Sequence, residues 1–119
     1  MELERDAKLL RIFIGENDRK GQKPLYEEIV FEAKKRGLMG VTVTRGIMGF
    51  GANTRIHRSK FLEISADLPL VIEIVDTEEK VRAFTEVIEA LFEETASGGL
   101  ITLEKAEVIR YKPGNRMGG

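Results

Sequence analysis

Apolar and polar residues alternate near the start of the chain. Leu10, Ile12 and Ile14 fall on one face of an extended segment, which predicts a β-strand that ends at Gly15. The polar residues 16–23 that follow contain turn-forming side chains and predict a loop. The pattern therefore begins with one strand that can bury a single face.

The spacing of apolar residues then becomes helical. Leu25, Ile29 and Ala33 recur every four residues and form one apolar stripe. Pro24 suits the first position of this helix, because its missing N–H would have no partner there. A basic run leads to Gly37, which is typical of a helix C-terminus.

The second half of the chain repeats this order. Residues 40–44 are largely β-branched and predict a strand. Residues 68–75 are almost continuously apolar, which is typical of a central strand covered on both faces. Asp76 or Thr77 can cap the helix that follows. The apolar stripe of that helix consists of Val81, Phe84, Ile88 and Leu91.

The last strand is predicted for residues 100–112, with a bulge or bend near residues 104–106, where the alternation changes phase. The order is then β-α-β, a long loop and β-α-β. Right-handed crossovers fold two such units into a ferredoxin-like plait. This is an α+β fold (βαββαβ) with a four-stranded antiparallel sheet and both helices on one face. We expect residues 1–119 to form one such domain, with a loose tail at residues 113–119.

The sheet face opposite the helices also carries apolar residues, namely Leu9, Phe13, Val71 and Val75. An apolar patch of that size on a small domain predicts burial by partner subunits. Phe31 lies on the outer side of the first helix, either as an exposed aromatic side chain or as a subunit contact.

Composition narrows the function classes. The net charge of −1 argues against a general nucleic-acid binder, and the absence of cysteine excludes disulfides and thiolate metal sites. The first residues are acidic, the reverse of a signal peptide, and the longest uncharged stretch is too short for a membrane span. We expect a cytoplasmic protein that does not insert into membranes.

Three glycines, Gly46, Gly49 and Gly51, follow the strand of residues 40–44. Such glycines permit positive φ and the close approach of an anion, and successive N–H groups can cradle phosphate oxygens. The alternative is a glycine bulge where the strand leaves the sheet. The segment is not a Walker A loop, because no Gly-Lys-Ser/Thr follows. Nearby cations that could add positive charge are Arg45, Arg55, Arg58 and Lys60.

Two further residues are candidates for chemistry. Glu73 is the ionisable residue inside an apolar strand, so it either pairs with a cation at a subunit boundary or accepts hydrogen bonds from a ligand. His57 is the only histidine, which makes a metal site a poor interpretation and a solvated residue or a phosphate contact a better one. We expect no metal and no required cofactor.

Two alternative functions remain open at this point. One is an enzyme that acts on small phosphate esters in a basic subunit cleft, with His57 as acid or base. The other is a weak nucleic-acid binder that uses Arg55, Arg58 and Lys60. The sequence contains no recognisable catalytic triad or metal cluster, and Ile47 stands where an RNA-recognition motif would have an aromatic residue.

Several motifs carry a resemblance to a known family, from about Lys8 to Lys112. Residues 40–44 and 49–51, a loop of about sixteen residues and the strand from Leu68 resemble PII signalling proteins in order and spacing. A PII-like branch long catalogued as a domain of unknown function is closer still. The motifs shared with that branch are Ile14-Gly15-Glu16, Arg45-Gly46-Ile47-Met48-Gly49-Phe50-Gly51, His57-Arg58 and Asp67-Leu68-Pro69.

The resemblance implies a regulatory homotrimer, not an enzyme, that binds an adenine nucleotide in clefts between subunits. A mobile T-loop, matched by residues 52–66, would signal to a protein partner such as a membrane transporter or an enzyme. The residues matched to the nucleotide site are Gly40, Thr42, Gly49, Phe50, Gly51, Glu73, Arg110 and Lys112. Loop, partner or phosphate contacts are expected at Arg45, Arg55, His57 and Arg58.

One departure from the PII pattern bears on the ligand. Ser97-Gly98-Gly99-Leu100 stands where PII proteins have Gly-Asp-Gly-Lys, so the lysine that binds phosphate is missing. The resemblance therefore favours AMP over ATP.

Overall fold

The computed structural model describes residues 7–51, 67–112 and 114. Its strands are β1 (Ala7–Gly15), β2 (Arg19–Lys20), β3 (Lys23–Pro24), β4 (Thr42–Arg45), β5 (Pro69–Thr77) and β6 (Leu100–Lys105). Its helices are α1 (Leu25–Lys35) and α2 (Glu78–Thr95). The segment of residues 52–66 and most of the predicted tail lie outside the described residues.

The main sheet has the strand order β4-β5-β1-β6, and every neighbouring pair is antiparallel. The central pair, β1 and β5, runs from Ala7 opposite Thr77 to Gly15 opposite Pro69. With the small β2–β3 hairpin set aside, the order is βαββαβ. The predicted ferredoxin-like plait is confirmed.

The core lies between this sheet and the two helices. Side chains alternate between the two faces of each strand, and those on the helix side are buried. At most 1% of each is exposed for Leu10 and Ile12 of β1 and for Ile72 and Ile74 of β5. Both predicted helical stripes are buried against them: Leu25, Ile29 and Ala33 on α1, and Val81, Phe84, Ile88 and Leu91 on α2. Burial of one face per element accounts for the alternating and helical patterns.

The helix ends follow local hydrogen bonding. Thr77, one of the two predicted caps, is the N-cap of α2, and its Oγ1 accepts the Lys80 N–H at 3.4 Å. Pro24 is the N-cap of α1 rather than its first residue. Gly37, after the C-cap, has φ +77°, a conformation that favours glycine.

Three predictions of local structure were wrong. The last strand ends at Lys105 rather than residue 112, because the chain leaves β1 after the Ala106 N–H donates to the Ala7 carbonyl at 3.1 Å. Arg110 and Lys112 thus lie beyond the strand, in a segment we call the C-terminal arm (residues 106–112). The strand predicted at residues 40–44 begins only at Thr42. The loop predicted at residues 16–23 contains the β2–β3 hairpin.

Two phenylalanines give a matched test of the core. Phe84 is 2% exposed, whereas Phe31 is 58% exposed and packs its ring under the Lys35 ammonium. We expect Phe84→Ala to lower the free energy of unfolding by about 3–5 kcal/mol, because it leaves a cavity. Phe31→Ala should change it by less than about 1 kcal/mol. Chemical denaturation measures both, and equal losses would contradict this packing.

Two helical ion pairs give the fold a dependence on pH. Glu32 accepts from Arg36 at 3.0 Å and Glu78 from Arg82 at 2.8 Å, and these hydrogen bonds lower the pKa of both carboxyls. A carboxyl whose pKa is lower in the folded state stabilises the fold above its unfolded pKa of about 4.3, and this stabilisation is lost as the pH falls through the folded pKa.

We therefore expect the double variant Arg36→Gln, Arg82→Gln to be less stable than the parent at pH 7. The difference should shrink towards zero at pH 3, where the carboxyls are protonated in both proteins. The two arginines are 51% and 61% exposed, so the effect is small and added salt should reduce it. Denaturation curves at the two pH values measure it; a difference that persists at pH 3 would argue against these pairs.

Candidate functional site

The sheet face away from the helices, called here the open face, has a polar centre with apolar neighbours. Register places Thr42, Glu73, Arg11 and Thr102 side by side across the four strands. The adjacent open-face residues are Leu9, Phe13, Val71 and Val75, all partly buried. The predicted apolar character of this face is therefore interrupted by one charged row.

Arg11 is the partner that the sequence did not identify for Glu73. Its Nε donates to Glu73 Oε2 at 2.8 Å, and its Nη1 donates to Glu104 Oε2 at 2.6 Å. The hydrogen bond from the guanidinium to Glu73 is the main reason that the pKa of Arg11 is raised. Glu73 thus pairs with a cation of its own chain.

A cleft of about 490 Å³ opens beside Glu73; we call it the Glu73 cleft. The C-terminal arm crosses the open face here and forms one wall. The lining residues are Leu9, Met39, Gly40, Val41, Thr42, Glu73, Val75, Val108, Arg110 and Tyr111. Four predicted nucleotide residues, Gly40, Thr42, Glu73 and Arg110, therefore meet in one place, whereas Lys112 is exposed and not part of the lining.

The backbone wall of this cleft is held by Asp76, the fully buried charged residue of the described core. Its carboxylate accepts the Met39 N–H at 3.0 Å and the Thr77 N–H at 2.7 Å. The Lys80 ammonium donates to the Gly37 carbonyl at 3.2 Å. These bonds fix the connection that leads into β4. Asp76 was predicted only as a possible helix cap.

A second cleft, of about 390 Å³, lies where β1 ends and β5 begins; we call it the Phe50 cleft. Its walls are mostly apolar, with one carboxylate from Asp67. The lining residues are Phe13, Ile14, Gly15, Phe50, Gly51, Asp67, Pro69, Gly98, Gly99 and Leu100. The predicted site residues Phe50 and Gly51 are here, separated within the chain from those of the Glu73 cleft.

The glycines of the turn after β4 differ in how much space surrounds them. A Cβ at Gly46 would lie 2.9 Å from Pro69 Cγ, and the Gly46 N–H donates to the Pro69 carbonyl at 2.8 Å. Gly49 has φ +152°, and its Cβ would lie 3.2 Å from the same carbon. At Gly51 a Cβ would have no atom within 4 Å. Gly46 and Gly49 thus serve the packing of the turn, and Gly51 can face a ligand.

At this end of the sheet, hydrogen bonds and an ion pair join the chain after β1, the chain before β5 and the end of β4. The Glu16 N–H donates to the Leu68 carbonyl at 2.8 Å, and the Asn17 N–H donates to Asp67 Oδ1 at 3.1 Å. Arg45, predicted as a loop or phosphate contact, pairs with Glu16 Oε2 at 2.9 Å. The sequence motifs include Glu16 and Asp67 but indicate no role for either residue. Arg55, His57 and Arg58 lie outside the described residues.

Among residues 7–51, 67–112 and 114, no group of three or more His, Cys, Asp or Glu side chains could hold a metal ion. No helix among them is both long enough and apolar enough to cross a membrane.

This architecture is a PII-like variant of the ferredoxin-like fold. CPII from Thiomonas intermedia K12, a nitrogen regulatory PII-like protein solved with ADP, AMP and bicarbonate, superposes with a TM-score of 0.61 at 20% identity, over 89% of this chain and 96% of that one. A PII-like signalling protein from Thermus thermophilus gives a TM-score of 0.57 at 23% identity, over 92% of this chain and 94% of its own.

Sequence similarity identifies the family. Residues 7–108 match the family model DUF190, described as Uncharacterized ACR, and the chain belongs to this family. A UPF0166 protein of Aquifex aeolicus (strain VF5) is 44% identical over 102 residues, which cover 86% of this chain and 92% of the relative. A UPF0166 protein of Methanocaldococcus jannaschii is 32% identical over 104 residues, with coverage of 87% and 93%. The predicted membership of a family catalogued as a domain of unknown function is confirmed, and the likeness to PII proteins is a likeness of fold.

Gly99 and Gly51 provide a test of the Phe50 cleft. A Cβ at Gly99 would lie 2.9 Å from the Phe13 carbonyl oxygen and from the Phe92 ring. We expect Gly99→Ala to destabilise the protein by about 1–3 kcal/mol through overpacking. Gly51→Ala should stay within about 0.5 kcal/mol. Thermal denaturation compares the two, and a larger loss for Gly51→Ala would contradict the geometry.

Proposed function

We propose that this protein is a trimeric PII-like regulator that binds an adenine nucleotide, AMP in preference to ATP, where two subunits meet. In this proposal the nucleotide controls the segment of residues 52–66, which contacts a protein partner such as a membrane transporter or an enzyme. The protein itself performs no catalysis. The residues proposed to bind the nucleotide belong to the Glu73 cleft and the Phe50 cleft, together with Gly49 and Lys112.

The observation that carries this proposal is the division of the site into two incomplete clefts. The Glu73 cleft supplies an acceptor and a cation, Glu73 and Arg110, whereas the Phe50 cleft supplies an aromatic ring and glycine backbone. A nucleotide needs both kinds of surface. They lie on different parts of one chain, so contact between unlike surfaces of two copies would join them. Such contacts form a ring when the rotation between copies closes.

The exposed apolar residues support an assembly of this kind. Ile47, Met48, Phe50 and Leu100 are all more than half exposed, and two of them, Phe50 and Leu100, line the Phe50 cleft. Ile109 of the C-terminal arm is 87% exposed. Exposed apolar groups of this density are typical of subunit interfaces. A neighbouring copy that covers the open face would remove them from water.

Two observations support an adenine nucleotide with few phosphates. CPII, which shares the fold, is described with ADP and AMP bound. By the resemblance to PII proteins, Leu100 of the Phe50 cleft stands where those proteins have a phosphate-binding lysine, and the Asp67 carboxylate adds negative charge. Each further phosphate would raise the repulsion from Asp67, and Leu100 supplies no positive charge to offset it.

The ends of the segment 52–66 connect ligand binding to signalling. Gly51, which precedes it, and Asp67, which follows it, both line the Phe50 cleft. A ligand in this cleft would therefore contact both residues from which the segment departs. Arg55, His57 and Arg58 belong to the segment and are proposed as contacts to the partner or to phosphate.

Isothermal titration with AMP, ADP and ATP tests the proposal. We expect saturable heat with AMP and weaker binding of ATP. Leu100→Lys should shift the preference towards ATP by on the order of tenfold, because it adds a charge-assisted hydrogen bond to phosphate. Gly51→Val should abolish binding, with the Gly51→Ala protein as the control for folding.

Analytical ultracentrifugation of the same samples measures the assembly, for which we expect a trimer. The absence of heat with every nucleotide at high concentration would contradict ligand binding. A monomer at binding concentrations would contradict the shared site.

A further inference from the structure

Arg11 lies in the middle of the open face, yet it lines neither the Glu73 cleft nor the Phe50 cleft. Its side chain is 33% exposed, low for an arginine on an uncovered sheet face. Its hydrogen bond to Glu73 connects it to a residue that lines the Glu73 cleft. A role for Arg11 in ligand binding must therefore be indirect.

The guanidinium connects both neighbouring strands of β1. One bond, at 2.8 Å, reaches Glu73 on β5, and the other, at 2.6 Å, reaches Glu104 on β6. Glu104 is two residues before Ala106, where the C-terminal arm with Arg110 begins. Arg11 thus ties the strand that carries Glu73 to the strand that leads into the opposite wall of the cleft.

The bond to Arg11 uses one oxygen of the Glu73 carboxylate, Oε2. A carboxylate has two oxygens and about four acceptor positions, so Oε1 can still accept a hydrogen bond from a donor in the cleft. Glu73 stands between Val71 and Val75 on the open face, and a free glutamate there would sample several rotamers. An acceptor that is already fixed loses less entropy when a ligand binds.

We propose that Arg11 is a positioning residue of the nucleotide site. It holds the Glu73 carboxylate against the cleft and acts on the ligand only through Glu73. This inference rests on the proposed function, since it assigns the group that prepares the same site.

A double-mutant cycle with AMP as the probe tests this assignment. Titration calorimetry is performed on the parent, Arg11→Met, Glu73→Gln and the double variant. We expect Arg11→Met to weaken AMP binding on the order of tenfold in the parent, and by less than about twofold when Glu73 is already Gln. Arg11→Lys, which retains a charged donor, should restore most of the affinity.

Arg82→Met is the matched control. Arg82 on α2 makes the same kind of bond, from Nε to Glu78 Oε2 at 2.8 Å, but lies outside both clefts. We expect it to leave the affinity for AMP unchanged. Ultracentrifugation and thermal melting check that each variant is folded and assembled. Arg11→Gln, with the same expectation, replaces Arg11→Met if the latter does not assemble.

Unchanged affinity of assembled Arg11→Met would overturn the assignment while leaving the proposed function intact. An equal loss with and without Glu73 would also overturn it, because Arg11 would then contact the ligand directly. Failure of the parent protein to bind AMP would instead contradict the proposed function itself.

Discussion

The register between β1 and β5 is the constraint on which the rest of the structure depends. These strands pair along their whole length, from Ala7 opposite Thr77 to Gly15 opposite Pro69. A slip of one residue would exchange the two faces of a strand. If β1 slipped, Ile12 would face away from the helices and Arg11 would enter the core without Glu73. If β5 slipped, the same would happen to Ile72 and Glu73. The cost of burying such a charge excludes the alternative registers.

The same register determines the chemistry of the open face. Arg11 can reach Glu73 because the two residues stand opposite each other, on the side that the helices leave free. At the far end of the pair, Pro69 provides the surface on which Gly46 and Gly49 pack. The position of the Phe50 cleft therefore follows from where β5 begins. Fold and candidate site are two consequences of one pairing.

Much of the fold could be predicted from the sequence because an element that buries one face has apolar residues at regular spacing. The strand with Leu10, Ile12 and Ile14 and the helix with Phe84 and Ile88 are each defined by one buried face, so local spacing was sufficient. The end of β6 is marked only by the change of phase near residues 104–106, which fits a bulge within a strand as well as the end of one. Residues beyond Lys105 retain an alternating pattern, but the chain turns away from β1, and only the tertiary structure reveals that departure.

The candidate site was predictable in part, for a related reason. Glu73 was noticed because it interrupts an apolar strand, yet nothing in its neighbourhood along the chain points to Arg11, which is 62 positions away. The glycine cluster was recognised as well, but composition cannot distinguish a glycine that packs on Pro69 from one that faces a cleft. Such assignments depend on contacts between distant segments.

The hydrogen bonds at the end of the sheet also have a consequence for chain length. Glu16 to Leu68, Asn17 to Asp67 and Gly46 to Pro69 already hold together the points between which residues 52–66 run. Because the scaffold closes this gap itself, doubling the length of the insertion would cost only about 0.6 kcal/mol of closure entropy. The framework around Gly51 and Asp67 can therefore keep its geometry when the chain between them changes in length.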